Sequence, residues 1–375
     1  MNSPFQQDRI AAARIMVVGC GALGNEVLKN LVLMGAEDLT VVDFDRVESG
    51  NLCRSVLFTK ADADAARYKV DVVAEKLRQM NPRLKIRTIR GDIAFDVGLG
   101  LIRRMNVVIG CVDNRWARYC INRLCMRAGI PWVDGGIDAL EGTVRVFAPG
   151  KNCYACNLGP EGLKDMARRQ PCSGIIRRNE DAGKAPTTSV VASIIGAVQV
   201  QEALKLLHPE LLEDGSMESL CGRMFYYEGG RLSTRTVDFK AHDPDCPVHD
   251  CWSPIGQTAV TTHTPVSEAL AMLGQELQST SVSINLTSDC FVDYVIRRDT
   301  DARTDMMLPG RSVASRIEQD PVLRGIPNNG LYQHEYRNVD AAFPYQSLTL
   351  GQLGIPEHDV LYVTASTGDY YMEMA

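Results

Sequence analysis

The chain contains no uninterrupted apolar run of about 18 residues, the length a membrane-spanning helix needs. Its first residues, MNSPFQQDRI, lack the charged-then-apolar order of a secretory signal. Both absences point to a soluble protein of the cytoplasm with no membrane partner. Positive charge is also scarce: the formal net charge is -6, and the arginine pairs at 103–104, 168–169 and 177–178 are short and scattered. Phosphate backbones recruit proteins through clustered cations, so no nucleic-acid partner is expected. A disulfide scaffold does not fit either. The 12 cysteines are spread over 375 residues, with two clusters at metal-like spacing, which suits reduced thiols and a bound metal.

A chain of this length is comfortable for two domains. Residues 14–19, RIMVVG, form a short apolar run ending in glycine; residues 25–34 follow at helical spacing, and 39–42 make a second apolar run. This is strand, helix, strand. The pattern predicts further helices at 69–80 and 115–128 and strands at 107–110 and 144–147. Such alternation implies an α/β fold with a mostly parallel sheet covered by helices. After Cys156 comes a polar, arginine-rich loop to Lys184, then a helical pattern over 189–207 and a last strand at 232–239. Residues 257–264 are small or polar and end the first unit. Thr264-Pro265 caps a helix carrying Val266, Leu270, Leu273 and Leu277, and SINLTS, CFVDYVI, DVLYVTA and YYMEM read as short strands. Residues 262–375 thus form a compact α+β module.

Gly19, Gly21 and Gly24 in GCGALG lie between the first strand and first helix, where missing side chains let backbone amides approach phosphate. Asp43 ends the second strand, 19 residues beyond Gly24, as suits a carboxylate that bonds ribose hydroxyls. This much fits a nicotinamide dehydrogenase as well as a nucleotidyl transferase. The following run, DFDRVESGNLCRS, adds Asp45, Asn51 and Arg54; Lys69 then opens a helix, and Asp113-Asn114 follow the strand at 107–110. A hydride enzyme needs no such cluster. Carboxylate attack on an α-phosphate does, because cations must offset accumulating negative charge and a carboxylate must hold magnesium.

The glycine loop, the D-x-D-x-V-x-x-x-N-L-x-R run, the lysine and the V-D-N triplet resemble the adenylation domain of enzymes that activate ubiquitin-like modifiers, the ThiF/MoeB/HesA superfamily. The resemblance covers residues 10–252. It implies a Rossmann-like adenylation domain over 1–256, with a crossover loop at 157–186, that activates the C-terminal glycine of a ubiquitin-like protein with ATP and Mg2+. By it, Asp43 holds ribose, Asn51, Arg54 and Lys69 contact phosphates, and Asp113 binds magnesium. The interval from Arg54 to Lys69 is two residues longer than the family's common pattern, which makes Arg67 a rival to Lys69. The family's upstream arginine has one weak candidate here, Arg9. A homodimer or a partner subunit is therefore expected to complete the site.

Cys153-x-x-Cys156 and Cys246-x-x-x-x-Cys251 place four thiols in two short-range pairs, which suits a closed, structural Zn2+ site. His249 is the alternative fourth ligand. The resemblance includes the same paired arrangement. Cys172, in RRQPCSGIIRR, has four arginines within six residues, and neighbouring cations favour the thiolate. In two-subunit activating enzymes the thioester cysteine lies in a similar place. Cys20, Cys53, Cys111, Cys120, Cys125, Cys221 and Cys290 read as packing. SLTLGQLGIPEHDVLYVTA resembles the end of a ubiquitin-like fold, with Leu353-Gly354-Ile355-Pro356 as the turn before a final strand, and such domains recruit a conjugating enzyme. No terminal Gly-Gly is present, so the module is not itself expected to be a substrate. Two other readings stay open: a sulfur-carrier adenylyltransferase that stops before the thioester, and a non-catalytic scaffold.

Overall fold

A computed structural model describes residues 4–168, 188–249 and 251–375. Cys172 lies outside the described residues. The chain divides into two units. The first comprises residues up to Ile93, Ile102–Gly159 and the described part of Lys184–Cys251; the second comprises Ala94–Leu101, the described part of Pro160–Gly183, and Trp252–Ala375.

In the first unit, β1 (Arg14–Val18), β2 (Asp38–Val42), β3 (Lys85–Ile89), β4 (Val107–Gly110), β5 (Trp132–Asp138), β6 (Glu141–Phe147), β7 (Arg223–Glu228) and β8 (Ser233–Asp238) form one sheet in the order β3-β2-β1-β4-β5-β6-β7-β8. β3, β2, β1, β4 and β5 run parallel, and β5 to β8 alternate in direction. Parallel strands are buried on both faces, which is why RIMVV and VVIG are continuous apolar runs rather than alternating ones. β3, KIRTI, has no such run and left no clear trace in the sequence pattern. Strand order reverses at β1, since the chain builds outward through β2 and β3 and returns to β4 on the other side of β1. The loops beyond the carboxyl ends of β1 and β4 therefore flank a crevice, the usual ligand position in such sheets.

Two helices cover this region. Ala22–Leu33 and Ser189–Leu206 contribute Val27, Leu28, Leu31, Ile195, Val200 and Ala203 to one core. Ser189–Leu206 is long and apolar enough to cross a membrane by length and composition, but half of it is buried within the fold. Its close seating depends on glycines: a Cβ at Gly196 would lie 2.9 Å from the Glu26 Cβ, and one at Gly142 on β6 would lie 2.3 Å from Ile195 Cγ1.

The second unit holds β9 (Ile255–Thr258), β10 (Val282–Asn285), β11 (Phe291–Arg297), β12 (Arg303–Pro309), β13 (Leu331–Tyr336), β14 (Asn338–Val339), β15 (Val360–Ala365) and β16 (Gly368–Met374). One sheet has the order β14-β10-β15-β16-β9 and another the order β12-β11-β13. The helix Val266–Glu276 buries Val266, Ala269 and Leu273 against the larger sheet. The helix Val313–Gln319 and the smaller sheet share a separate core around Val292, Val295, Val313 and Ile317. Two expectations change. Residues 255–258 are not the tail of the first unit but a strand pairing in parallel with β16; IGQT is too short and polar to announce that long-range pairing. The turn at Leu353–Pro356 precedes β15, which is followed by a further strand, β16.

Gly142→Ala tests the helix-on-sheet contact. Overpacking of a filled core costs about 1–3 kcal/mol, so denaturant unfolding should show a loss of that size. An unchanged midpoint would mean that the helix can lift from β6.

Candidate functional site

The crevice begins with a constraint on side-chain size. Gly19 has φ +97°, and a Cβ there would meet Cys111 O at 2.5 Å; a Cβ at Gly24 would meet Gly19 O at 2.0 Å. Backbone occupies both places, so neither position admits a side chain without the loop moving. Gly21 faces open space and precedes the helix Ala22–Leu33. Backbone bonds anchor the loop, from Gly19 N to Val42 O (2.8 Å) and from Cys111 N to Val18 O (2.7 Å).

Asp43 follows β2 and closes the next layer. Its Oδ2 accepts from Cys20 N at 2.6 Å and its Oδ1 from Asp45 N at 2.8 Å. Burial raises the Asp43 pKa above the usual carboxylate range, opposed by Lys69 and by these two amides. Lys69, buried at the start of the helix Lys69–Met80, donates from Nζ to Asp45 Oδ2 at 2.7 Å. Burial works against its charge, yet Asp43 and Asp45 more than offset this and its pKa rises. Arg67 is tied elsewhere, to Asp62 at 2.9 Å and Glu75 at 2.7 Å. Of the two rivals, Lys69 is the cation joined to the Asp43–Asp45 pair.

Asn51 is buried, and its Oδ1 accepts from Glu48 N at 2.9 Å, closing the turn Ser49–Asn51. Arg54 is half-buried on the same run, and its guanidinium forms no ion pair among the described residues. On the β4 side, Asp113 is exposed, with Oδ1 3.3 Å from Asn114 Nδ2. Asn114 caps the helix Arg115–Ala128, its Oδ1 accepting from Ala117 N at 2.8 Å. Arg9 pairs with Glu210 at 2.5 Å and donates to Leu207 O at 3.3 Å, so its guanidinium is engaged at the far end of the helix Ser189–Leu206.

One ionic cluster escaped the sequence reading. Asp134 on β5 is fully buried; Arg118 Nε donates to it at 3.0 Å and Arg145 Nε at 2.9 Å. Arg118 also donates to Val112 O at 2.7 Å and Gly135 O at 3.0 Å. Burial works against the Arg118 charge, but Asp134 offsets it. The cluster thus fixes the residue immediately before Asp113. Its sequence signal is a carboxylate inside an apolar strand, which needs a buried cation to be tolerated.

Among the remaining thiols, Cys20, Cys111, Cys120, Cys125 and Cys290 are buried, and Cys221 is half-buried. Burial pushes the Cys20 and Cys111 thiols up, away from the thiolate form. Cys53 corrects the packing expectation: it is exposed, with Sγ 3.6 Å from Gly50 O. It lies on an open turn, and the apolar Leu52 beside it conceals that in the sequence.

At the other end of the unit, Cys153, Cys156, Cys246 and His249 bring their ligand atoms within 4.8 Å of one another. Sγ separations are 3.7 Å for Cys153–Cys156 and 3.8 Å for Cys153–Cys246, and Cys156 Sγ lies 3.2 Å from His249 Nε2. A tetrahedral metal with bonds of about 2.3 Å to sulfur requires S···S edges of roughly 3.8 Å, so the group fits one. Cys251 is not part of it. Its thiol is exposed and directed to Arg127 O at 3.5 Å. The tight turn at Cys246, with His249 N bonded to Cys246 O at 3.4 Å, brings the imidazole inward and carries the chain past before Cys251.

The sequence profile of the ThiF family matches residues 3–248. The SAMP-activating enzyme E1 of Haloferax volcanii is 32% identical over 245 residues, covering 65% of this chain and 83% of that protein. The sulfur carrier protein adenylyltransferase of Thermus thermophilus is 30% identical over 251 residues, covering 65% and 85%. The adenylyltransferase and sulfurtransferase MOCS3 of Bos taurus is 32% identical over 241 residues, and the match spans 49% of its length. Among solved structures, E. coli MccB with ATP has a TM-score of 0.50 at 20% identity, covering 65% of this chain and 68% of that one, a likeness of fold.

The ligand assignment has a direct check. Metal content of the purified protein should be retained in Cys251→Ser and lost in His249→Ala; the opposite result would restore Cys251 as the fourth ligand.

Proposed function

The chain belongs to the ThiF family, and from that premise we propose that it uses ATP to adenylate the C-terminal glycine of a small ubiquitin-like protein. The observation that carries this reading is the buried ammonium of Lys69, held by Asp45 beside the Asp43-closed glycine loop. Hydride transfer has no use for it. Joining a carboxylate to a triphosphate does, because two anions must meet in the transition state.

In this scheme the modifier's carboxylate oxygen bonds to the α-phosphorus while the bond to the β-phosphate oxygen breaks, giving acyl-adenylate and pyrophosphate. The amides at Gly21 and Ala22 and the Ala22–Leu33 helix start face the phosphates. Asp43 retains lone pairs for ribose hydroxyls, and Asn51, Arg54 and Lys69 contact the phosphates. Asp113, exposed beside Asn114, suits Mg2+, which when bound offsets phosphate charge. Because Arg9 is engaged by Glu210, an additional arginine would come from a second copy or a partner subunit. The Cys3His group suits Zn2+ with no open position, a structural staple without a catalytic role.

The thiolate of Cys172 would next attack the acyl carbon and release AMP, leaving a thioester for a conjugating enzyme docked on the second unit. The activating role in the name of the Haloferax relative supports this course. The name of the Thermus relative favours a shorter one, in which the adenylate is consumed by sulfur transfer to a carrier protein.

Pyrophosphate release is the primary test. With ATP and a cognate modifier it should appear, and Lys69→Ala should reduce it by roughly two or more orders of magnitude, the scale of a lost transition-state contact. No release even with the natural partner would refute adenylation. A reducible modifier adduct that disappears in Cys172→Ala would establish the thioester course; adenylate without any adduct would establish the sulfur-carrier one.

A further inference from the structure

Asn25, in the first turn of the helix Ala22–Leu33, is fully buried. Its Nδ2 donates to Cys20 O at 2.8 Å and to Gly21 O at 3.0 Å, and its Oδ1 accepts from Leu57 N at 2.8 Å. The orientation of the amide is unambiguous, because two carbonyls can only accept and a backbone N–H can only donate. Both of its N–H groups and one lone pair of its oxygen thus go to backbone groups.

This arrangement has a consequence for the opposite side of the loop. Peptide planes are trans here, the one cis bond among the described residues being Ser253–Pro254. In a trans peptide the C=O and the following N–H point in opposite directions. Drawing Cys20 O inward to the Asn25 side chain therefore turns the Gly21 N–H outward, while Gly21 O, which also accepts the helical bond from Asn25 N at 3.0 Å, turns the Ala22 N–H outward. Gly21 borders open space, and neither N–H donates a hydrogen bond within the described residues, whereas Gly19 N and Cys20 N are already taken by Val42 O and Asp43. The same side chain, through Leu57 N, ties the run that carries Asn51 and Arg54 to the glycine loop.

We propose that Asn25 is a positioning residue for the triphosphate: through Cys20 O it aims the Gly21 amide at the anion, and through Leu57 N it holds the Arg54 run against the same loop. The proposal rests on reading this crevice as an ATP site, and it does not require that the modifier be adenylated there. Removing the side chain frees Cys20 O to rotate toward the ligand, where it repels phosphate, and releases Leu57 N, while Gly21 O keeps its helical bond from Asn25 N. Asn25→Ser keeps a short hydroxyl that can restore one of the bonds and should sit between wild type and Asn25→Ala.

The experiment compares ATP, adenosine and inorganic tripolyphosphate on the full chain by calorimetry, and follows the Gly21 and Ala22 amide resonances during tripolyphosphate titration. In Asn25→Ala, ATP and tripolyphosphate should bind roughly tenfold more weakly, the scale of one or two misplaced hydrogen bonds to a charged ligand. Adenosine binding should be unchanged, and the Gly21 amide shift seen in the wild type should vanish. A merely structural role would weaken adenosine and ATP together. That outcome, or amide shifts equal in both proteins, overturns the proposal. If Asn25→Ala does not fold, the same ratios are read from Asn25→Ser, with a loss confined to ATP and tripolyphosphate supporting it. A wild type that binds ATP with these shifts but releases no pyrophosphate with its modifier refutes adenylation and leaves the role of Asn25 intact.

Discussion

The near-contact of backbone at the ends of β1 and β4 governs the candidate site. Gly19 and Gly24 are glycines because Cys111 O and Gly19 O stand where their side chains would be. With those atoms so close, the loop has one path, and that path brings Cys20 N to Asp43 and starts the Ala22–Leu33 helix at the mouth of the crevice. Asp43 then fixes Asp45 through its amide, and Asp45 sets where the Lys69 ammonium is held. From the β4 side, Arg118 holds Val112 and so the approach to Asp113. A chain of backbone and carboxylate contacts converts the packing of two strands into a fixed set of charges.

Much of the first unit was legible because its signals are local. β1, β4 and the helices Lys69–Met80 and Arg115–Ala128 were readable from continuous apolar runs and helical spacing. The glycine pattern located the loop, and the order of charged residues after Asp43 pointed to phosphate rather than hydride chemistry. What stayed hidden depends on partners distant in sequence. Lys69 and Arg67 are indistinguishable as letters, and it is Asp62 and Glu75 that remove Arg67. His249 and Cys251 both suit a metal, and only the turn after Cys246 decides between them. Asn25 reads as an ordinary polar residue in a helix until Leu57 is seen across from it.

The second unit shows the same limit more strongly. Its short strands were recognisable one by one, but their sheet membership was not. β9 and β16 pair across almost the whole unit, and the separate three-stranded sheet with its own helix and core has no periodic signature. Asp293 illustrates why: the β11 register shifts beside it, and the buried carboxylate gathers His334 and Tyr345 from other parts of the chain. Such a network follows from tertiary packing and cannot be read from spacing.

The Cys3His group also has a topological meaning. Its two halves, Cys153 with Cys156 and Cys246 with His249, stand on either side of a long stretch that includes the Ser189–Leu206 helix, β7 and β8. With a metal bound, that stretch is a ring closed at its neck. A cut within the ring would leave the two pieces of chain joined through the metal as well as by the pairing of β6 with β7. The neck also removes many of the ring's unfolded arrangements, an effect that grows slowly with ring size. Whatever the length of the ring, the chain that leaves at Cys156 must return beside it at Cys246.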